Sequence, residues 1–229
     1  MGQLEHKPPV KLAVFDFDGT SISGNSPVLL VGHLIRHCML RPTVSLRIGF
    51  WAFAYKFRLP QNESWVRSLV FTAFEGKPQR EVDDYLMKFY DEVIAPRFRS
   101  QADKAMAKLQ EQGCEVMVVS ATWEPIVVRA MQFHPFTCQL STSMKIDEQG
   151  CYTREVDGIP VEGEEKIKVV KRWADARYGE GNWTLEHAFG DHHSDRPLLE
   201  AAHFAHAVTP DAPLARTAKE NGWEVLDWD

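Results

Sequence analysis

Val10-Lys-Leu-Ala-Val-Phe15 runs straight into Asp16-Phe-Asp18-Gly19-Thr20, and that junction decides the fold. A short apolar, partly β-branched run is the pattern of a strand buried on both faces, as in parallel sheets. Its abrupt end in two acids and a glycine is how such a strand delivers polar groups at its carboxyl end. Glu115-Val-Met-Val-Val-Ser120 repeats the pattern. So do Trp183 to Phe189, which ends in Gly190-Asp191, and His203 to Val208, which ends in Thr209-Pro-Asp211. Trp223 to Leu226 adds a short last strand.

Helical spacing fills the intervals. Phe98, Ala102, Ala105, Met106 and Leu109 precede the second strand, and Gly113 sits where that helix should stop. Trp123–Phe133, Glu165–Arg177, Ser194–Ala202 and Ala212–Asn221 follow. Alternation of strand and helix predicts an α/β, Rossmann-like fold: a parallel sheet with helices on both faces. Ligands of such sheets bind beyond the carboxyl ends of the strands. Asp16, Asp18, Ser120 and Asp191, distant in the chain, are therefore expected around one crevice.

Residues 21–95 carry no strand pattern and are too long for a loop. They read as an inserted helical cap, leaving 1–20 and 96–229 as the α/β core. A smaller excursion, Thr142 to Val161, holds Asp147-Glu-Gln-Gly150 and Asp157-Gly158 between strand-like pieces. It reads as a β-hairpin leaving the core.

Bulk composition excludes several classes. The 229 residues are 44% hydrophobic and 25% charged, with a net charge of −6, which suits a folded soluble chain and not a nucleic-acid binder. Cys38, Cys114, Cys138 and Cys151 are scattered, so neither a disulfide framework nor a zinc site is expected, and a reducing cytoplasm fits. The first ten residues lack the apolar core of a secretory signal, and His6 stands where a myristoylation site wants Ser or Thr. Ile48 to Tyr55 is the longest membrane-like stretch, far short of the roughly 20 residues that a spanning helix needs.

Two carboxylates spaced as Asp16 and Asp18 repel unless a cation lies near or one holds a proton. A continued pleat would point both the same way. Mg²⁺, a hard ion that prefers oxygen, would make Asp16 a ligand and a poised nucleophile. Asp18 could then protonate a leaving alkoxide and later deprotonate water. Gly19 lets the backbone approach a phosphate, and the Gly19 and Thr20 N–H groups can donate to it. Ser120 with the neighbouring Ala121 backbone offers a cradle for phosphate oxygens, although Ser is also an ordinary helix cap. Lys166 lies at a helix start, where the dipole does not favour a cation; it is either a phosphate neutraliser or a solvated lysine. Asp191 can complete a magnesium shell, with Asp195 orienting it from outside. His192 and His193 lack a suitably spaced third ligand for zinc.

Taken together, Asp16 to Thr20, Ser120, Lys166 and Gly190-Asp191-His-His-Ser-Asp195 resemble the motif series of the haloacid dehalogenase-like (HAD) hydrolase superfamily. The order is DxDxT, a strand-end Ser, Lys, then GDxxxD. The resemblance implies Asp16 as nucleophile, Asp18 as general acid/base, and Ser120 and Lys166 as phosphate binders. It implies Mg²⁺ held by Asp16, the Asp18 backbone carbonyl and Asp191, with Asp195 in support. The large insert and the wording around Lys166 and Asp191 look like the phosphoserine phosphatase-like branch. Authentic phosphoserine phosphatases carry a Glu about nine residues past the nucleophile; here Asn25 holds the position, which argues against phosphoserine itself.

From Gly19 to Asn62 there is no Asp or Glu, while Arg36, Arg41, Arg47, Lys56, Arg58, His33 and His37 are all present. Phe50, Trp51, Phe53, Tyr55 and Phe57 accompany them. This segment is either an aromatic cap core with solvated cations or a surface for an anionic lipid headgroup at a membrane periphery. The expected function is thus Mg²⁺-dependent hydrolysis of a phosphate monoester through a phospho-aspartyl intermediate. The alternatives are a lipid phosphatase of phosphatidylglycerophosphate type, a phosphomutase, or a non-catalytic phosphate binder.

Overall fold

A computed structural model describes residues 8–39 and 71–228. The strands are β1 (Val10–Phe15), β2 (Cys114–Trp123), β3 (Cys138–Thr142), β4 (Met144–Ile146), β5 (Tyr152–Val156), β6 (Trp183–Gly190), β7 (Phe204–Val208) and β8 (Glu224–Leu226). The helices are α1 (Ser26–Arg36), α2 (Gln79–Phe89), α3 (Ser100–Glu111), α4 (Glu124–Met131), α5 (Glu164–Tyr178), α6 (Arg196–Glu200) and α7 (Ala212–Asn221).

Six strands form one sheet in the order β3-β2-β1-β6-β7-β8, and every neighbouring pair is parallel. The reason is visible in β1 and β2. Ala13, Phe15, Val116 and Val118 pack on one face with Met106 of α3 and Val127 of α4. Leu12, Val14, Met117 and Val119 pack on the other with Val170 of α5, Leu199 of α6 and Leu214 of α7. Successive residues thus enter opposite layers, each fully buried aliphatic side chain contributing about 1.5–3 kcal/mol. These two interior strands cannot face water on either side, which forces the three-layer α/β arrangement that the sequence predicts.

Four details differ from the sequence expectation. Ser120 does not end its strand: β2 continues to Trp123 through a register shift between Ser120 and Trp123. β3 is an additional edge strand; its mixed sequence, Cys-Gln-Leu-Ser-Thr, has no apolar run to announce it, because an edge position is only half-buried. The helix expected over Ser194–Ala202 is a 3-10 turn, His193–Asp195, followed by α6. Finally, the β4–β5 hairpin does not simply leave the core. The Gly76 N–H donates to the Tyr152 carbonyl at 2.9 Å, the Tyr152 N–H to Lys77 at 2.9 Å and the Gln79 N–H to Gly150 at 2.9 Å. The Tyr152 hydroxyl adds a bond to Asp83 at 2.5 Å. The hairpin is stitched to the start of α2.

Within 21–95 the described residues are largely helical. The segment leaves and rejoins the sheet by two chains that run side by side. The Ser23 N–H donates to the Arg97 carbonyl at 2.8 Å, and the Arg99 N–H to Ser21 at 2.9 Å. On the returning chain a π-turn, Tyr90–Ile94, precedes this pairing. Arg41, Arg47, Lys56 and Arg58, with the aromatic residues from Phe50 to Phe57, lie outside the described residues. Among the described residues no helix is long and apolar enough to cross a membrane.

Candidate active site

Lys166 is not a solvated lysine. It sits in the first turn of α5, only 4% exposed, and donates to Asp16 Oδ1 at 2.6 Å and to Asp195 Oδ1 at 2.6 Å. A buried ammonium is tolerated only when paired in this way. Burial alone would lower its pKa; the attraction of Asp16 and then Asp195 outweighs this and raises it.

Carboxylate oxygens of Asp16, Asp191 and Asp195 all lie within 4.8 Å of one another. Burial pushes the Asp16 carboxyl well above the ordinary range; Asp195 and Asp191 push the same way, and Lys166 opposes them. Asp191 is pushed up to about 6, chiefly by burial and then by Asp195. Three carboxylates against one ammonium leave a surplus of two negative charges when all are ionised. Hard oxygen donors, close spacing and that surplus fit a small divalent cation such as Mg²⁺. Asp195, expected outside the shell, belongs to the same cluster.

Gly19 and Gly190 make the approach possible. Gly19 has φ +73°, and a Cβ there would stand 2.0 Å from Asp191 Oδ2. A Cβ on Gly190 would stand 2.7 Å from that of Asp195. Thr20 donates its hydroxyl to Asp191 Oδ1 at 3.1 Å, fixing that carboxylate. The Gly19 N–H, expected on a phosphate, donates instead to the Gly24 carbonyl at 2.9 Å; this residue contributes space and not a donor. Gly19→Ala is therefore expected to lower stability by about 1–3 kcal/mol, from the strained backbone and the displaced carboxylate. Thermal unfolding with and without Mg²⁺ checks this: the variant should also lose most of the stabilisation that the ion gives the wild type.

Asp16 and Asp18 do not share a continued pleat. The strand ends at Phe15, and the chain turns so that Asp18 bridges to Ile22. The Asp18 carboxylate receives the Ser26 N–H at 2.6 Å, the Ser26 hydroxyl at 2.9 Å and the Thr122 hydroxyl at 2.7 Å. Burial raises its pKa, while the Thr122 and Ser26 bonds pull it down, and the net shift is upward. A carboxyl that keeps its proton more readily than usual suits an acid catalyst. Its side chain is not part of the Asp16, Asp191 and Asp195 cluster.

Ser26 and Thr122 are the residues that sequence reasoning missed. Their signals are weak: Asn25-Ser26-Pro27 looks like any helix start, and Thr122 is one more polar residue after Ser120. Ser120 is buried, and its Oγ accepts the Thr122 N–H at 3.1 Å. Asn25 caps α1 by accepting the Val28 N–H at 3.1 Å. His192 caps the 3-10 turn, its Nδ1 accepting the Ser194 N–H at 3.2 Å, and its Nε2 lies 3.5 Å from Asp211. His33 of α1 and His37 just past its end bring their rings to 4.3 Å at a 41° tilt, with His33 also against Phe89.

Beside Asp18 lies an apolar recess of about 30 Å³, whose walls include Pro27, Leu30, Trp123 and Ile126. Ser26 and Thr122, which bond to Asp18, line it too.

The family model described as haloacid dehalogenase-like hydrolase matches residues 13–200. A histidinol-phosphatase of Neisseria meningitidis is 27% identical over 95% of this chain and 98% of its own length. A phosphoserine phosphatase of Mycobacterium tuberculosis is 28% identical over 98% of this chain and 74% of its own length. Among solved structures, a Bordetella pertussis protein of unknown function superposes with a TM-score of 0.84 at 22% identity, covering 96% of this chain and 100% of that one.

Proposed function

This chain belongs to the haloacid dehalogenase-like hydrolase family, and from that premise we propose that it hydrolyses a small phosphate monoester in two steps through Asp16. The observation that carries the reading is the buried Lys166 bridging Asp16 and Asp195, next to an Asp18 held by a separate set of donors. Residues 21–95 are taken as the cap over a core of 1–20 and 96–229.

In the first step an Asp16 carboxylate oxygen attacks phosphorus, and the bond from phosphorus to the ester oxygen breaks. Asp18 gives its proton to that oxygen, so the alcohol leaves neutral. Lys166, already on Asp16 Oδ1, offsets charge on the nucleophile and the transferring group. Ser120 and the backbone at Gly19, Thr20 and Ala121 flank the phosphate. In the second step Asp18, now a carboxylate, takes a proton from water as the water oxygen attacks phosphorus. The bond to Asp16 breaks, inorganic phosphate departs, and both acids return to their starting states. Asp16, Asp191 and the Asp18 carbonyl would hold Mg²⁺, with Asp195 supporting; when bound, the ion supplies charge neutralisation for the phosphoryl oxygens.

The relatives named for histidinol phosphate and for phosphoserine favour a small phosphorylated alcohol. Asn25, engaged in capping α1, offers no carboxylate to a serine amine.

Phosphate release from alkyl phosphates and from p-nitrophenyl phosphate, with Mg²⁺ or with EDTA, tests the reading. Asp18→Asn should slow alkyl esters by about 10²–10⁴-fold, the usual worth of a positioned acid. It should slow the nitrophenyl ester far less in the first step, since that leaving group needs no proton. Equal losses on both, in single-turnover measurements of the alcohol released, would remove Asp18 from the acid's role.

A further inference from the structure

His134, just past α4, holds the returning chain at two places. The Tyr90 hydroxyl lies 2.7 Å from its Nε2, and its ring stacks on that of Phe98 with centroids 3.3 Å apart. Its Nδ1 lies 2.8 Å from Asp103 Oδ1 of α3. Tyr90 opens the π-turn. Phe98 sits between Arg97 and Arg99, whose backbones pair with Ser23 and Ser21. One imidazole, tied to the core by Asp103, therefore pins both ends of residues 90–98.

The partners fix its tautomer. A carboxylate accepts, so Nδ1 carries the proton toward Asp103, and Nε2 is left to accept from the tyrosine. Burial, opposed by Asp103, lowers the His134 pKa and keeps the ring neutral. Burial also raises the Tyr90 pKa, so its hydroxyl stays a donor. Tyr90 is fully buried, and an orphaned polar group there would cost about 1–3 kcal/mol. The three side chains thus hold one arrangement.

From Phe98 the contacts lead to the acids. Phe98 bridges to Ile22, and Ile22 bridges to Asp18. The Ile22 N–H donates to the Phe17 carbonyl at 2.9 Å, and the Phe17 ring meets that of Phe98 edge-on at 6.3 Å. Phe17 stands between Asp16 and Asp18 in the chain, and both it and Ile22 are fully buried. Close packing passes a shift of Phe98 on to them. The two acids are not equally exposed to such a shift. Asp16 is gripped by Lys166 of α5, whereas Asp18 takes two of its three bonds from Ser26, on the chain that pairs with the returning one.

Resting on the phosphatase reading, we propose that His134 is a positioning residue for the reaction: with Tyr90 and Asp103 it sets the register of the two paired chains, and through Phe98 it aims Asp18 at the leaving oxygen. It touches no substrate. Its influence falls on proton donation and not on attack by Asp16. A displacement of about 1 Å from a remote change can cost on the order of a hundredfold in rate, so a modest loosening here is enough to register.

Single-turnover rates on an alkyl phosphate and on p-nitrophenyl phosphate, with Mg²⁺ present, separate aim from stability. The wild type is compared with Tyr90→Phe, which deletes one hydroxyl, and with His134→Leu, which deletes both bonds and the flat stack. Circular dichroism confirms that each variant is folded at the assay temperature. His134→Leu should slow the alkyl ester by about tenfold or more and the nitrophenyl ester by no more than about threefold, because only the first needs the proton. Tyr90→Phe should shift the ratio the same way by a smaller factor, and it alone decides if His134→Leu does not fold. In an Asp18→Asn background Tyr90→Phe should change the alkyl rate no further, since the donor it aims is gone. Equal slowing of both esters, no slowing of either, or an undiminished effect in the Asp18→Asn background overturns the proposal. A wild type that hydrolyses neither ester sinks the phosphatase reading and this inference with it; a wild type that hydrolyses both, with a ratio the variants leave untouched, sinks the inference alone.

Discussion

Asp16→Asn is expected to release no measurable phosphate from p-nitrophenyl phosphate, a loss of at least about ten-thousand-fold, as when a covalent nucleophile is removed. The amide has nearly the same shape but cannot take a phosphoryl group and return it to water. The fold should survive, because the side-chain carbonyl can still accept from Lys166 Nζ, now 2.6 Å from Asp16 Oδ1. Losing one charge also relieves the burial cost that chiefly lifts the Asp16 pKa and the repulsion from Asp195 and Asp191 that adds to it. The melting temperature without metal should therefore lie close to that of the wild type. Substantial turnover by a correctly folded variant would show that the phosphoryl group never passes through this residue.

Lys166→Met is the second large effect, and here stability should fall together with activity. The methionine fills a similar volume but leaves Asp16 and Asp195 without their shared cation in a site that is almost fully buried. Breaking a buried pair from one side costs about 3–5 kcal/mol. Denaturant unfolding in EDTA should show that loss, and Mg²⁺ should restore part of it by supplying positive charge to the same carboxylates. Turnover should drop by about a thousandfold, the worth of a preorganised charge at the transferring group. An unchanged midpoint in EDTA would mean that the lysine does not stabilise these acids at all.

Much of the architecture was legible because the informative residues are those with the fewest options. β1 was bounded correctly since Leu12 to Phe15 are apolar and fully buried just before the acids begin, and α7 likewise, from Asp211 as cap to Gly222 beyond its end. β3 was not, because its partly exposed residues carry no periodic signal. The same distinction applies in the site. Acids at strand ends stand out, and Asp16, Asp191 and Asp195 do come together. The hydroxyls of Ser26 and Thr122 do not stand out, since serine and threonine occur everywhere and only the fold brings residues 96 positions apart within 2.9 Å. Lys166 could not be resolved from sequence, because its burial depends on which way the first turn of α5 faces.

The paired chains at Ser21–Ser23 and Arg97–Arg99, together with the Ser26 grip on Asp18, carry one more implication. Asp18, the proton donor of the proposed mechanism, is clasped from two sides, by Thr122 of β2 and by Ser26 of α1. If that helix swung outward, the clasp would open on one side and the donor would lose its aim. In the proposed mechanism, leaving-group protonation would then depend on the Ser26 contact being made, so water reaching an opened crevice would meet a disarmed catalyst.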